Sequence, residues 1–210
     1  MKKAVSIFVL AIFLLVSCTK HENQGGGDVP PPVYPRYEVG DYFKNDTLEG
    51  VVFFTIAGGS SGMMVSLDET CAQWCYPTHI NMETGATNAR DGWNNTNLVM
   101  ENYNLHNYPA IEWSYEKNTW HLVHYEHRQI IDKQWYVPSS NEMRYLLQNQ
   151  EAVNATLEAR GYPTLEGKIY WSSTETGTRG AATVRLQNGK VVIGEELKDQ
   201  MFYVRAMRNF

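Results

Sequence analysis

Reactive side chains are sparse in this 210-residue sequence, and they gather in a few stretches. Cys71 and Cys75 form the cysteine pair of the body, and His79 follows four positions later. Two thiols exported to an oxidising compartment pair as a disulfide, which is the leading reading here. On a regular helix an i to i+4 spacing lies near the upper end of the usable Cα separation, so the pair implies a turn or a distorted helix. The alternative takes Cys71, Cys75 and His79 as three soft ligands for zinc. Pro77 interrupts a continuous helix and no fourth ligand accompanies the three. No metal and no cofactor is therefore expected.

A second concentration runs from Trp113 to Arg128 and holds His121, His124 and His127 among Trp113, Tyr115, Trp120 and Glu126. Pairing His121 or His127 with Glu126 would suggest a metal, but no HExxH helix or other diagnostic spacing is present. Read as a partly exposed strand or loop, the stretch places His121 and His124 on opposite faces. Exposed rings beside Asn, Glu and Arg are what a sugar-binding or protein-binding surface uses. Trp113, Tyr115, Trp120 and His121 are accordingly the candidate ligand contacts, with core packing as the competing role. Ser172-Ser173-Thr174-Glu175 offers hydroxyls and a carboxylate with no neighbouring histidine. A hydrogen-bonded turn closing a strand suits it better than catalysis. Asp91 to Asn97 is rich in the oxygen ligands calcium prefers, yet lacks the acidic alternation and terminal glutamate of an EF-hand. A loop whose side chains bond local backbone is expected there.

Short strands and a few helices must position these residues. Gly50 to Ile56 and Met63 to Leu67 are rich in β-branched and aromatic residues and are separated by Gly58 to Gly62, a pattern of two strands. Ala181 to Gln187 and Lys190 to Gly194 flank Asn188-Gly189, which predicts a two-residue hairpin turn. Phe202 to Arg208 reads as one last strand. Ser139 with Glu142 three positions later forms a capping box and starts a helix. A second helix is predicted over about 152–159, ending at Gly161, and a third over 94–104. The class is α+β.

The N-terminus specifies a destination. Met1-Lys2-Lys3 precedes an apolar run from Ala4 to Val16, then Leu15-Val16-Ser17-Cys18. Charged start, short greasy run and small residues at a cleavage point describe an export signal, and the run is too short to span a bilayer. The last four residues resemble the bacterial lipobox, in which the cysteine carries diacylglycerol, so Cys18 is the expected lipidation site. Residues 1–18 are then signal peptide, and 19–36, with three glycines and four prolines, a tether. Residues 37–210 form the single domain. The formal charge of −5 becomes more acidic when Lys2 and Lys3 leave with the signal, which gives no electrostatic footprint for nucleic acid. The expected partner is a membrane, through the lipid, on the outer membrane or cell surface.

Five pieces follow one another along the chain: Asp91-Gly92 with Asn95-Thr96; Tyr108-Pro109-Ala110; Trp135-Tyr136-Val137-Pro138-Ser139 with Glu142; Tyr170 to Glu175; and Val204 to Arg208. Together they resemble the bacterial domain named after the C-terminal region of the collagen-like adhesin Lcl. They are also similar to the Fibrobacter-type paralogous domain and, more distantly, to the formylglycine-generating, sulfatase-modifying superfamily. That resemblance implies a C-type-lectin-like fold with small twisted sheets, two or three helices and long loops. It places Trp135 and Trp171 in the core. The superfamily's enzymes need reactive cysteines late in the chain, and none follows Cys75. No enzyme is expected. The resemblance implies adhesion, with recognition of a glycan, a matrix component or a partner protein; the alternative is a structural subunit of an envelope or fimbria-like assembly.

Overall fold

A computed structural model of the chain describes residues 34–124 and 135–210. Cys18, the tether to residue 33 and His127 lie outside the described residues, as do the side chains of Trp120, His121 and His124. Strands β1 (Tyr42–Lys44), β2 (Glu49–Ile56), β3 (Ser61–Val65) and β9 (Met207–Asn209) form an antiparallel sheet in the order β1-β2-β3-β9. A second sheet holds β4 (Thr70–Gln73), β8 (Met201–Val204), β5 (Ile169–Glu175), β6 (Gly180–Gln187) and β7 (Lys190–Leu197), in the order β4-β8-β5-β6-β7. Its neighbours are antiparallel except β5 and β8, which run parallel. The helices are α1 (Gly92–Asn102), α2 (Pro109–His124), α3 (Ser140–Gln148) and α4 (Gln150–Ala159). The class is α+β, as expected, and these elements lie in one unit, Tyr34–Phe210.

Local chemistry sets most boundaries. Ser139 and Glu142 form the reciprocal capping box that opens α3. Asp91 accepts the Asn94 N–H at 3.0 Å and caps α1. The Asp91–Asn97 stretch is thus a helix start, not the expected loop. Asn188 and Gly189 sit at φ 51° and 73°, the left-handed pair a type I′ turn requires. The strands they join pair from Gln187–Lys190 at the turn to Gly180–Leu197 at the far end.

Three further expectations are corrected. Residues 113–124 are helical, not strand or loop, because Pro109 occupies the first position of α2, where its missing N–H costs nothing. The region of Cys71 is strand β4, not a turn. Phe202 to Arg208 is two strands in different sheets, since Arg205 between them turns its guanidinium inward. There Nε donates to Glu69 at 3.0 Å and Nη1 to the Ser66 and Leu67 carbonyls, each at 2.8 Å.

The core follows from the amphipathic faces of the helices. Met143, Leu146, Leu147, Val153 and Leu157 from α3 and α4 pack with Val51, Phe53, Tyr170 and Val184 from the sheets. Each fully buried aliphatic side chain contributes about 1.5–3 kcal/mol by leaving water. A second cluster gathers Trp74, Val99, Tyr108, Ile111, Val137 and Trp171 around α1 and the start of α2. Trp135 and Trp171 are both buried, as expected for core rings.

Candidate functional site

Four of the five sequence pieces that carry the resemblance converge on a buried junction, and the junction is structural. Glu142 accepts from Ser139 N and Oγ, both at 2.8 Å, from Gly92 N at 2.9 Å and from Tyr136 OH at 3.1 Å. Ser173 N donates to Pro138 O at 2.7 Å, and Ser140 N donates to Thr174 Oγ1 at 3.0 Å. Asn95 Nδ2 reaches Ser173 Oγ at 3.3 Å. Tyr136 and Met207 exchange backbone bonds at 3.0 and 2.9 Å, which ties the third piece to the fifth. Burial and the Glu142 carboxylate beside it push the Tyr136 hydroxyl far above its ordinary pKa. Every hydrogen bond named here joins one protein group to another.

Ser172 to Glu175 lies on β5, not in a closing turn. The Glu175 carboxylate takes the Thr84 and Gly85 N–H groups and forms an ion pair with Lys198 at 2.5 Å. The side chains of Lys198 and Glu175 are 0% and 1% exposed. Lys198 also donates to the Met82 and Thr178 carbonyls at 3.0 and 2.8 Å, so each of its three protons has an acceptor. The pair therefore anchors the irregular segment between β4 and α1 to the end of β7. Glu69 does similar work, taking Lys168, Tyr170 OH and Arg205.

The disulfide expected between Cys71 and Cys75 is not formed, and both thiols are free. Cys71 is exposed on β4, whereas Cys75 lies buried beyond the strand's end in the Trp74 and Tyr108 cluster. Burial pushes the Cys75 thiol up to about 11, against a partly offsetting Lys198 charge. His79 sits in a short 3-10 turn with its ring on the Thr78 hydroxyl at 2.9 Å. Among the described residues no three His, Cys, Asp or Glu side chains are grouped to hold a metal ion.

Helix α2 redistributes the four candidate ligand contacts. At 100° per residue, position 115 falls roughly opposite position 113, while position 120 returns to nearly the same face two turns on. Trp113 and Tyr115 therefore cannot form one surface. Trp113 is partly buried and packs between the second core cluster and a third built on Phe43, Trp135 and Phe210. The side chains of Trp120 and His121 lie outside the described residues. Asn118, which sequence reasoning passed over, is buried and pairs with the Trp135 backbone, accepting its N–H at 2.7 Å and donating to its carbonyl at 2.9 Å.

An open groove of about 460 Å³ lies beside this helix. The β1–β2 turn forms part of its lining, held by Asn45 Oδ1, which accepts the Thr47 and Leu48 N–H groups at 2.9 and 2.8 Å. Lys117 from α2, Asp68, buried Trp135 and exposed Tyr162 also line it. Lys117 forms an ion pair with Asp68 at 2.5 Å, and its ammonium lies 4.5 Å from the Trp113 ring centroid. Lys44 and Glu49 pair at 3.5 Å on the β1–β2 hairpin, whose residues also line the groove. The groove thus carries both signs of charge, with Asp46 leaving one carboxylate more than the ammoniums, next to aromatic rings. Its residues come from segments as far apart as 44 and 162, and no spacing in the sequence points to them.

No family model matches the chain, and no curated protein does. Among solved structures it is similar to a fimbrial protein from Bacteroides ovatus, with a TM-score of 0.52 and 18% identity, covering 71% of this chain and 36% of that one. The chain spans about a third of that protein's length, and the likeness is one of fold.

Proposed function

We propose that the protein is a lipid-anchored cell-surface protein that serves as a subunit of a fimbria-like envelope assembly. The observation that carries this reading is the fold shared with a fimbrial protein over 71% of the chain. The export signal and the lipobox ending at Cys18 support it by supplying a route out of the cytoplasm and an anchor. Among the described residues no helix is long and apolar enough to cross a membrane. The convergence of four of the five pieces on a hydrogen-bonded junction supports it too, because those residues build a scaffold. In this reading the domain is a C-type-lectin-like relative of the Lcl C-terminal and Fibrobacter-type domains, without enzymatic activity and without nucleic acid as a partner. Crosslinking on intact cells tests it. The expected result is the chain captured with other envelope components, and a chain captured with none would reject assembly.

The groove favours a second reading, recognition of a glycan or matrix component. Two ion pairs, the Asp46 carboxylate, Asn45 and the exposed Tyr162 ring offer donors, acceptors and an apolar face. A glycan and glycosaminoglycan screen on the full chain tests it. Saturable binding weakened by Lys117→Ala supports recognition at this groove, and silence across the screen removes it.

A further inference from the structure

Sheet edges are where a chain can add another strand, and this fold has four of them among the described residues. Three are short: β1 and β9 have three residues each and β4 has four. Short edges are a usual defence against unwanted pairing. The fourth, β7, has eight residues, contains no proline and pairs with β6 without a bulge. Two of its apolar side chains, Ile193 and Leu197, are each 44% exposed.

Pleat and turn fix what that edge presents. In a two-residue hairpin the residues flanking the turn, here Gln187 and Lys190, exchange backbone bonds with each other. Bonding then alternates along the strand. Lys190, Val192, Gly194 and Glu196 therefore bond β6, while Val191, Ile193, Glu195 and Leu197 turn their N–H and C=O groups to the open side. Side chains alternate as well, which puts Lys190 and Glu196 on the same face at opposite ends of the strand. Neither side chain has an ion-pair or hydrogen-bond partner among the described residues. Glu195 points to the opposite face, where its carboxylate lies beside Gly180 and a Cβ added there would meet Oε1 at 2.5 Å.

We propose that β7 pairs edge to edge with β7 of a second copy of this chain, antiparallel about a two-fold axis through Ile193, with each Lys190 opposite Glu196 of the partner subunit. The alternation demands that outward-bonding residues oppose one another, which allows registers centred on Ile193 or shifted by whole steps of the pleat. Charge selects among them. Centred on Ile193, the register sets both unpaired lysines against both unpaired glutamates and matches Val191 with Glu195 of the partner subunit. A shift of one step toward the C-terminal end sets Glu196 against Val192 and loses both ion pairs. The contact is isologous and closes on itself, so it makes a dimer and leaves further growth to another surface. The proposal rests on the assembly reading for its setting and names one contact within it.

The test uses the full chain carrying Cys71→Ser, which removes the exposed thiol, with Ile193→Cys or Glu195→Cys added and mild oxidation applied. Residues directly opposite in a bonded pair have Cα atoms about 5.5 Å apart, within disulfide range. Two copies of residue 195 would lie roughly 14 Å apart in this register, at about 3.4 Å per residue. The expected result is a chain of doubled mass for Ile193→Cys and not for Glu195→Cys or the parent. In sedimentation, Lys190→Glu weakens the dimer about tenfold or more, and Lys190→Glu with Glu196→Lys restores it. Circular dichroism confirms that each variant is folded. A monomeric Ile193→Cys chain, equal crosslinking at 195, or indifference to the charge swap overturns the proposal. If wild-type chain still crosslinks to envelope components while Ile193→Cys stays monomeric, β7 pairing fails and the assembly reading stands. An Ile193 dimer on cells that show no envelope partner has the opposite meaning.

Discussion

The Glu142 carboxylate accepts the backbone N–H of Gly92 at 2.9 Å, joining the start of α1 to the start of α3 across fifty residues of sequence. The same oxygen holds Ser139, so one carboxylate organises two helix N-termini. An anion is stabilised there by the amide dipoles it faces. Position 92 leaves no room for a side chain: an added Cβ would lie 2.4 Å from Ser139 N and 2.6 Å from both Glu142 Oε2 and Val137 O.

Gly92→Ala is therefore expected to destabilise the chain by about 1–3 kcal/mol, because the atoms in the way are largely backbone. Glu142→Gln is expected to cost about 1–3 kcal/mol, since one acceptor oxygen becomes an amide facing donors. Urea denaturation followed by tryptophan fluorescence checks both. A variant within experimental error of wild type would mean that the junction is not a stability determinant.

What the sequence disclosed was what local chemistry decides. The Ser139–Glu142 capping box, the Asn188-Gly189 turn and the Gly161 stop each act within a few residues, and each stands where the sequence put it. Helix α2 was illegible because its inward stripe is partly polar. Ile111, Ser114 and Asn118 fall at helical spacing and are all buried, but Ser114 bonds the Ile111 carbonyl and Asn118 bonds Trp135. A hydrophobic period cannot register such residues. The break between β8 and β9 was hidden for a related reason, since the inward turn of Arg205 depends on acceptors at Ser66, Leu67 and Glu69 more than a hundred residues away. The Asp68–Lys117 pair of the groove is likewise non-local, joining positions 49 residues apart.

The buried Lys198–Glu175 pair gives a second prediction. Lys198→Met leaves the Glu175 charge without its cation in a site closed to water, and is expected to cost about 3–5 kcal/mol. Combining it with Glu175→Gln should recover part of that loss, since no uncompensated charge remains. A double-mutant cycle from denaturant melts measures the coupling, and strict additivity of the two single losses would contradict it.

Trp113→Ala separates packing from recognition. The ring packs between two core clusters beneath the Lys117 ammonium, so its loss is expected to lower stability by about 2–4 kcal/mol through the cavity it leaves. Lys117→Ala, which breaks an ion pair whose aspartate is more than half exposed, should lower it by less than about 1 kcal/mol. Thermal melts of the two variants distinguish these costs, and equal stability losses would place Trp113 outside the core.

Alkaline pH should unfold the chain through groups held protonated inside it. Burial raises Cys75 from its ordinary 9.0 to about 11 and Tyr108 from 10.0 to about 12. The Glu49 hydrogen bond, followed by burial, raises Tyr42 from 10.0 to about 12. A folded-state value above the unfolded one means that the folded chain holds its proton more tightly. The stabilisation is complete below the unfolded values and is lost as pH rises through the folded ones. Stability is thus expected to be level below about pH 9 and to fall between about pH 9 and 12, with the buried tyrosines ionising together with the loss of near-ultraviolet dichroism. Ionisation of all thirteen tyrosines ahead of unfolding would contradict it.

Thiol chemistry and lipidation bear on the anchor. Cys71 is exposed and free, and Cys75 is buried with its pKa raised, so alkylation of the native chain at pH 8 should label Cys71 rapidly and Cys75 only after denaturation. Rapid labelling of both would place Cys75 at the surface. Under the proposed lipidation a thioether to diacylglycerol would occupy the Cys18 sulfur, so mature protein from the native host should accept no label there and metabolic palmitate should enter the chain at that residue. Cys18→Ser is then expected to lose the palmitate and to leave the membrane fraction. Acyl chains hold a protein on a bilayer by about 0.8 kcal/mol per buried methylene, and no described helix is long and apolar enough to replace them by spanning it. A Cys18→Ser chain that stayed in the membrane fraction at high salt and carbonate pH would show that attachment runs through protein contacts, which is what a subunit already locked into an assembly would do. Repeating the fractionation with Lys190→Glu added tells whether the β7 contact is the one retaining it.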